Sequence, residues 1–277
     1  MILNGKAIAD TILDEVARKV QTFSRSPGLA FVLVGEHAPS FTYVNMKAKA
    51  CLRTGIRSRI VRLPTLITEK ELLGEIEKLN LDPHIDGILV QMPLPPQIDA
   101  RKVIFSIDPE KDVDGFHPVN QGKLFYSDPS GFVPCTPLGI TLLVEKSGLS
   151  WESKHVVIVG RSTIVGKPLA NLLMQKRYNA TVTVCHTATE NLSRHTKAAD
   201  IVVACSGIPH LIQRGMVSPR SVVVDVGISR REGKLCGDAD FESLVNHVAA
   251  ISPVPGGVGP MTIACLMQNT IKKQGMP

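Results

Sequence analysis

The chain has 277 residues, of which 44% are hydrophobic and 20% are charged. This composition predicts folded domains with a real core and excludes long disordered stretches. Aromatic residues make up only 4%, so we expect an aliphatic core, which favours buried parallel strands over an all-β sandwich. The formal net charge of +6 comes from scattered lysines and arginines, which argues against a nucleic-acid partner and favours small anionic ligands.

The cysteines and the chain start indicate the compartment. The six cysteines are widely spaced and form no C-x-x-C pair, which predicts reduced thiols, a cytoplasmic location and no metal site. The first residues contain no apolar signal segment, and no run approaches the roughly 18 apolar residues of a membrane span. We therefore expect no membrane association, and the length favours two domains.

Helix and strand patterns alternate through the first half of the chain. Apolar residues predict a first helix, and the further predictions are strands at 29–34, 56–63 and 85–91 and helices at 40–54 and 68–80. Ser40 is the candidate N-cap of the second helix. Thr68 and Glu71 have capping-box spacing at the start of the third. Alternation of this kind predicts a parallel sheet whose ligands bind beyond the carboxyl ends of its strands.

The second half repeats the alternation after a long segment, 108–137, that is expected to be irregular and functional or interdomain. A helix at 136–148 leads into it. The predicted elements are strands at 155–159, 181–185, 200–204 and 221–226, helices at 165–177, 240–247 and 261–273, and a Pro/Gly-rich segment at 253–260.

A strand runs into a glycine turn and a helix at 160–166, the context that a dinucleotide fingerprint needs. The spacing departs from G-x-G-x-x-G, because Ser162 and Val165 replace two glycines. On the motif alone, a strand–turn–helix without a ligand is equally compatible. The next strand ends at Cys185-His186-Thr187 without an acidic residue for a ribose 2′-hydroxyl, and Arg161 lies in the first loop. These two features favour NADP over NAD.

The helix at 40–54 carries a second candidate site. Phe41, Val44, Ala48 and Cys51 share the face that we expect to be buried. Tyr43 and Lys47 are four residues apart and are predicted to lie at its border. Spacing alone favours a solvated Lys47 and a half-buried Tyr43. Gln91 and Asp114 are equally ordinary when each is taken singly.

Five motifs together resemble the bifunctional methylenetetrahydrofolate dehydrogenase/methenyltetrahydrofolate cyclohydrolase family. The resemblance covers nearly the whole chain in order. The segments that carry it are Val-Gly-Glu-His-Ala-Pro-Ser-Phe-Thr-Tyr-Val-Asn-Met-Lys-Ala-Lys-Ala (34–50), Val-Gln-Met-Pro-Leu-Pro (90–95), Pro-Glu-Lys-Asp-Val-Asp-Gly-Phe (109–116), Gly-Arg-Ser-Thr-Ile-Val-Gly-Lys-Pro (160–168) and Pro-Val-Pro-Gly-Gly-Val-Gly-Pro-Met-Thr (253–262). Departures are small: Thr187 stands where the family often has serine, and Ser206 where it often has threonine.

The resemblance implies a two-domain α/β fold with a cleft between the domains. It implies a folate-binding domain over 1–137, joined by a C-terminal helix over 261–277, and a Rossmann-like NADP-binding domain with a parallel sheet over 138–260. The implied reactions are NADP-dependent oxidation of 5,10-methylenetetrahydrofolate and hydrolysis of the methenyl product to 10-formyltetrahydrofolate, a step of one-carbon metabolism that serves purine biosynthesis. The family is typically homodimeric.

The resemblance also implies roles for individual residues. Lys47 is the general acid/base of hydrolysis, Gln91 orients it, Asp114 binds the pterin and Tyr43 stacks on the folate, which makes these four the catalytic set. The further residues implied to bind substrate are Ser40, Gly256, Gly257 and Pro260. The residues implied to bind the cofactor are Gly160, Arg161, Ser162, Ile164, Val165, His186, Thr187, Ser206, Gly207 and Ile228. We interpret His186 as a packing or ribose-contacting residue and not as a catalytic base.

Two alternatives remain at this stage. The chain could be an NADP-dependent dehydrogenase of another small substrate, similar to shikimate or amino-acid dehydrogenases, which also use lysine and aspartate. It could also be a catalytically silent nucleotide-binding or regulatory protein. The helix with Tyr43 and Lys47, together with Gln91-Met92-Pro93, argues against the first alternative, and turnover of methylenetetrahydrofolate would decide it. The set of Lys47, Gln91 and Asp114 argues against the second, which the absence of any turnover despite NADP⁺ binding would support.

Overall fold

The computed structural model describes residues 1–231 and 233–274, and these fall into two compact units. The N-terminal unit, named for its longest segment, comprises Asp10–Cys135 and the described residues from Ile263 onward. The C-terminal unit comprises Met1–Ala9 and Thr136–Thr262. Each unit is built around a parallel sheet.

In the N-terminal unit, strands β1 (Gly28–Val34), β2 (Arg57–Leu63) and β3 (Gly87–Val90) form a sheet in the order β2-β1-β3. β1 is buried along its whole length, because it lies between the other two strands. The helices of this unit are α1 (Gly5–Val20, shared with the other unit), α2 (Ala38–Thr54), α3 (Glu69–Leu81), α4 (Ala100–Ser106) and α5 (Pro118–Phe125).

In the C-terminal unit, five parallel strands have the order β10-β7-β6-β4-β5. Their bounds are β4 (His155–Val159), β5 (Thr181–Cys185), β6 (Ile201–Ala204), β7 (Val222–Asp225) and β10 (Ala250–Ile251). Strands β8 (Ser229–Arg231) and β9 (Lys234–Cys236) form a separate antiparallel pair. The helices are α6 (Cys135–Lys146), α7 (Gly166–Leu173), α8 (Leu192–Lys197) and α9 (Phe241–Leu244), with a 3-10 turn at Arg214–Met216. The last helix, α10 (Val258–Ile271), begins in this unit, and its residues from Ile263 onward belong to the N-terminal unit.

The α/β prediction and the long strands are confirmed, whereas several details of the helices are not. The capping box at the start of α3 is present: Glu71 N donates to Thr68 Oγ1 (3.2 Å), and Thr68 N donates to Glu71 Oε2 (2.9 Å). Ser40 is not an N-cap, because α2 begins earlier and His37 occupies that position.

The segment 108–137 is less irregular than predicted, because it contains α5 and the start of α6. Helices α7 and α9 are shorter than the predicted spans 165–177 and 240–247, and the final helix begins at Val258 and ends at Ile271. The last residues of the predicted helix 261–277, 275–277, lie outside the described residues.

All six cysteines are free. Cys51, Cys135 and Cys265 belong to the N-terminal unit, and Cys185, Cys205 and Cys236 belong to the C-terminal unit. Burial raises the pKa of the Cys51 and Cys205 thiols to about 12. Over the described ranges, no helix is long and apolar enough to cross a membrane, and no group of three or more His, Cys, Asp or Glu residues is placed to bind a metal ion.

Candidate functional site

Lys47 lies closer to the buried side of α2 than predicted. The fully buried residues of this helix include Ser40, Val44, Cys51 and Thr54. They follow one another at spacings of four, seven and three residues, and Lys47 stands on the same stripe between Val44 and Cys51. A lysine in this position keeps its apolar stem packed while its ammonium group faces the neighbouring elements.

Lys47 Nζ donates to Gln91 Oε1 across 3.0 Å. Gln91 directly follows β3, and its backbone N–H donates to Val32 O in β1 (2.9 Å), so it marks the carboxyl edge of the sheet. Its side-chain N–H donates to Met92 O (2.8 Å). With its nitrogen held by the backbone, the Gln91 amide presents its oxygen to the lysine.

Asp114 and Cys135 complete the surroundings of Lys47. Cys135 is buried and its thiol donates to Val113 O (3.3 Å), next to Asp114 in the chain. It also hydrogen-bonds the Asp114 carboxylate. The charge of Asp114 acts directly on Lys47. Cys135 could not be identified as a site residue from the sequence, because a lone cysteine in a proline-rich segment has no recognisable spacing to other site residues.

Burial dominates the ionisation of this cluster. It lowers the pKa of Lys47, and the negative charge of Asp114 opposes that shift. Burial also raises the pKa of Asp114, which the charge of Lys47 and the hydrogen bond from Cys135 oppose. Both groups are therefore easier to neutralise than in water. A lysine whose pKa is lowered by burial reaches its neutral form more easily than a solvated lysine does, which favours acid/base catalysis.

Tyr43 and Ser40 lie on the first turns of α2. Tyr43 is half-buried and stands four residues before Lys47. Ser40 is 3% exposed, and its hydroxyl lies 3.0 Å from His37 Nδ1. The structure thus groups Lys47, Gln91, Asp114 and Tyr43 in the N-terminal unit.

The other residues implied to bind substrate belong to the C-terminal unit. Gly256 has a φ of +108°, a conformation that favours glycine, and its carbonyl accepts from Lys6 N (2.9 Å). Gly257 N donates to Pro253 O (2.9 Å). A Cβ on Gly257 would come within 2.6 Å of that carbonyl oxygen, so the turn requires glycine. Pro260 lies in the first turn of α10.

The glycine turn after β4 is tight at both of its ends. Gly160 has a φ of +136°, and a Cβ there would lie 2.3 Å from Cys205 O. A Cβ on Gly166 would lie 2.1 Å from Gly160 O. Between them, Ser162 Oγ accepts from Val165 N (3.1 Å) and Gly166 N (3.4 Å). The irregular spacing has a physical reason: glycine is needed where the backbone is crowded, and the Ser162 hydroxyl accepts the N–H groups of the N-cap residue Val165 and of Gly166.

The remaining residues implied to bind cofactor follow the neighbouring strand ends of the same sheet. Arg161 and Ile164 are exposed on the turn after β4. β5, which pairs with β4, is followed by His186, whose Nδ1 accepts from Ala188 N (3.2 Å), and by the exposed Thr187. Ser206 and Gly207 follow β6, and Ile228, which is 49% exposed, follows β7.

This edge fits a phosphorylated dinucleotide. The turn at Gly160 leaves backbone where a side chain would otherwise stand, α7 points its N–H groups toward the turn, and Arg161 supplies a cation beside it. Ligands of parallel sheets bind at such a carboxyl edge.

The model of the tetrahydrofolate dehydrogenase/cyclohydrolase catalytic domain matches residues 3–114, and that of the family's NAD(P)-binding domain matches residues 134–276. The chain belongs to this family. The bifunctional protein FolD of Aquifex aeolicus is 50% identical over 276 residues, covering 98% of this chain and 94% of that protein. The family prediction is therefore confirmed.

Solved structures of family members confirm the predicted two-domain fold. The bifunctional enzyme FolD from Campylobacter jejuni superposes with a TM-score of 0.96 at 46% identity, covering 99% of this chain and 98% of that chain. The Trypanosoma brucei enzyme, described as complexed with NADP cofactor and inhibitor, gives 0.92 at 37% identity and covers 99% and 97%. The two predicted activities and the NADP cofactor agree with these family matches.

Shikimate dehydrogenase from Thermus thermophilus gives a TM-score of 0.58 at 12% identity, covering 89% of this chain and 93% of that chain. This similarity shows a shared fold alone. A dehydrogenase of the shikimate type, the first alternative above, therefore resembles this chain in its fold.

Proposed function

We propose that this chain oxidises 5,10-methylenetetrahydrofolate with NADP⁺ and hydrolyses the methenyl product to 10-formyltetrahydrofolate, with Lys47 as the general acid/base of hydrolysis. The observation that carries the proposal is the contact between Lys47 Nζ and Gln91 Oε1, beside Asp114, at the carboxyl edge of the N-terminal sheet. Lysine, amide and carboxylate together can move protons and hold a hydrogen-bonding heterocycle.

The hydrolysis requires three proton transfers and releases one proton overall. Water adds to the methenyl carbon and loses a proton, and a ring nitrogen gains a proton as its bond to that carbon breaks. As this bond breaks, the hydroxyl on the carbon gives up its own proton to solvent and becomes the formyl carbonyl. Neutral Lys47 accepts the first proton and its ammonium form supplies the second, so the group is regenerated. The hydrogen bond from Nζ to Gln91 fixes the amine while this happens.

Asp114 and Tyr43 would hold the substrate. A carboxylate offers two acceptor oxygens, which match the paired N–H donors of the pterin ring. The half-buried ring of Tyr43, one helical turn before Lys47, would stack on the folate. Asp114 also influences Lys47 through its charge, so it serves binding and protonation together.

The C-terminal unit would hold NADP⁺, which when bound supplies the hydride acceptor for the oxidation. The turn at Gly160, whose own N–H donates to Cys185 O, would let the pyrophosphate approach the backbone closely, and the backbone N–H of Ser162 would donate to it. Arg161 would pair with the 2′-phosphate, together with the Thr187 hydroxyl. Gly256 and Gly257 would let the backbone approach the ligands closely. We assign residues 1–137 and the last helix to folate binding, and residues 138–260 to cofactor binding.

Lys47→Met tests the catalytic assignment. The variant keeps an unbranched apolar stem and removes the amine. We expect hydrolysis of methenyltetrahydrofolate to fall by about 10²- to 10⁴-fold, the usual contribution of a positioned acid/base. Affinity for NADP⁺, measured by fluorescence titration, should remain unchanged. Lys49→Met, at an exposed position two residues along the same helix, is the matched control.

Hydrolysis at the parent rate in Lys47→Met would remove Lys47 from the mechanism. A loss of activity in both lysine variants would instead indicate damage to α2.

The cofactor site has its own test: Arg161→Ala should narrow the preference for NADP⁺ over NAD⁺. An unaltered ratio of kcat/KM for the two cofactors would contradict the role of Arg161.

We further propose that the enzyme is a cytoplasmic homodimer. The family resemblance motivates the dimer, and the six free cysteines fit a reducing compartment. Sedimentation equilibrium should give twice the chain mass of 30.0 kDa. A monomer at micromolar concentration would contradict the dimer.

A further inference from the structure

Two buried carboxylates in the C-terminal unit take no part in the chemistry above. Asp225 is the last residue of β7 and is 2% exposed. Asp238, which follows β9, is 0% exposed. A buried carboxylate is costly unless its oxygens are hydrogen-bonded, so the partners of this pair indicate what it does.

Asp238 binds the loop that follows β6. Its Oδ2 accepts three hydrogen bonds: from Ser206 N (2.5 Å), from Gly207 N (2.8 Å) and from Ser206 Oγ (2.9 Å). Both residues are among those implied to bind the cofactor. One carboxylate oxygen therefore holds two consecutive backbone N–H groups and a hydroxyl of a proposed cofactor loop.

The other oxygen of Asp238 has no hydrogen-bond partner among the described residues. It lies against Gly227, where a Cβ would come within 2.1 Å of it. Gly227 directly precedes Ile228, another residue implied to bind the cofactor. The carboxylate thus fixes one proposed cofactor loop by hydrogen bonds and packs against a second.

Asp225 holds Asp238 in place. Its Oδ1 accepts from Asp238 N (2.9 Å) and Gly227 N (3.1 Å), and its Oδ2 accepts from Ala239 N (3.0 Å). A Cβ on Gly237 would come within 1.8 Å of Asp225 Oδ2. Asp238 therefore packs against Gly227, two residues after Asp225, and Asp225 packs against Gly237, which directly precedes Asp238. These contacts hold the two segments together.

The loop held by Asp238 also supports the phosphate turn. Cys205, which precedes Ser206, donates its N–H to Val159 O (2.9 Å), and its carbonyl packs on Gly160. A shift of residues 206 and 207 would therefore move the backbone on which the turn at Gly160 rests.

We infer that Asp238, seated by Asp225, is a positioning residue that sets the NADP-binding loops at Ser206–Gly207, Gly227–Ile228 and Gly160. This inference rests on the proposed cofactor site. Asp238 is fully buried and binds backbone N–H groups and a hydroxyl of the loops, so its effect on NADP⁺ would be transmitted through those groups. The residues it orders all lie in the C-terminal unit, whereas the proposed hydrolytic set lies in the other unit.

Asp238→Asn tests the inference, because asparagine keeps the shape and removes the charge that strengthens the three hydrogen bonds. We expect KM for NADP⁺ in the dehydrogenase assay to rise about tenfold, equivalent to about 1.4 kcal/mol of binding. The dehydrogenase kcat should change less than KM. Hydrolysis of methenyltetrahydrofolate, assayed without cofactor, should keep its kcat and KM. Asp240→Asn, two residues along, is the control and should match the parent chain.

Three outcomes would overturn the inference. One is an unchanged KM for NADP⁺ in Asp238→Asn while Arg161→Ala alters cofactor preference, which would leave the cofactor site standing without this support. If neither variant changes cofactor kinetics, the proposed site itself is wrong. A parallel fall in hydrolysis and oxidation would reduce Asp238 to a general structural role. Should Asp238→Asn fail to fold, Asp225→Asn must show the same selective rise in KM, and an unchanged KM there would overturn the inference.

Discussion

At Lys47, two opposing effects act on one ammonium group. Burial on the inner stripe of α2 lowers its pKa, and the carboxylate of Asp114 raises it. Because Asp114 is itself pushed toward its neutral form by burial, the charge that opposes the shift is weakened. The balance favours the neutral form of Lys47 more than in a solvated lysine.

Asp114→Asn should expose that balance. Without the negative charge, the pKa of Lys47 should fall further, because the larger of the two influences that oppose burial is then removed. The acidic limb of the pH profile for hydrolysis, which reports formation of the neutral amine, should move to lower pH. The measurement is kcat for methenyl hydrolysis as a function of pH.

A folate-binding defect in Asp114→Asn would raise KM without moving that limb. The kcat profile therefore separates the two roles of Asp114. A profile that keeps its acidic limb in place would show that this carboxylate does not influence Lys47.

At the scale of single elements, the start of α3 has the structure that its local sequence predicts. Thr68 and Glu71 form the reciprocal hydrogen bonds that their spacing predicts. At the other end of the helix, Lys111 Nζ donates to the carbonyls of Leu79 (3.1 Å), Asn80 (2.6 Å) and Asp82 (2.8 Å). This second contact joins distant parts of the chain, so no local pattern could predict it.

Thr68→Ala should destabilise the chain by about 1 kcal/mol, the usual cost of losing an N-cap side chain. Differential scanning calorimetry would show a lower Tm. Thr68→Ser keeps the hydroxyl and should remain within a few tenths of a kcal/mol of the parent. Equal Tm values for the alanine and serine variants would contradict a stabilising cap.

The long strands and helices could be predicted because their apolar periods are strong. α5 could not, because Pro118 and Gly122 read as turn residues although proline is well tolerated in a first helical turn. The hairpin of β8 and β9 was also missed, since its strands of three residues are too short to show alternation. The site depended on contacts between elements: spacing identified Lys47 and Tyr43 as neighbours, but only the fold brings Gln91 and Cys135 to them.

At the scale of the whole molecule, stability depends on carboxylates that are buried where ionisation is costly. Burial raises the pKa of Asp112 and of Asp225 from 3.8 to about 6, against the hydrogen bonds that each accepts. Asp112 accepts from Phe116 N (3.2 Å), His117 N (2.8 Å) and Asn120 Nδ2 (2.8 Å). The folded chain therefore binds protons at these sites more tightly than the unfolded chain does.

The contribution of Asp112 to the free energy of unfolding depends on pH. Between about pH 4 and about pH 6 the folded state holds a proton on Asp112 that the unfolded state has lost, so this group's contribution to the free energy of unfolding falls as pH rises. For a shift to about 6 the loss amounts to at most about 3 kcal/mol. Asp112→Asn cannot titrate. The Tm of the variant relative to that of the parent should therefore rise from pH 4 to pH 7.

Calorimetry at several pH values, with Glu77→Gln as an exposed control, would test this expectation. In Asp112→Asn the side-chain amide faces N–H donors, which lowers Tm by an amount that does not vary with pH. The test is therefore the slope of the Tm difference against pH. A Tm difference that stays constant across the range would show that Asp112 titrates alike in both states.

Because both units contain cysteines, the reactivity of the thiols can show which unit unfolds first. Thiolate is the species that alkylating reagents attack, and burial keeps Cys51, Cys135 and Cys265 protonated in the N-terminal unit. It does the same for Cys185 and Cys205 in the C-terminal unit. Each of these thiols should react only after its surroundings have opened. Peptide mapping after brief alkylation at increasing denaturant would then report which unit gives way first, without any added label or engineered residue.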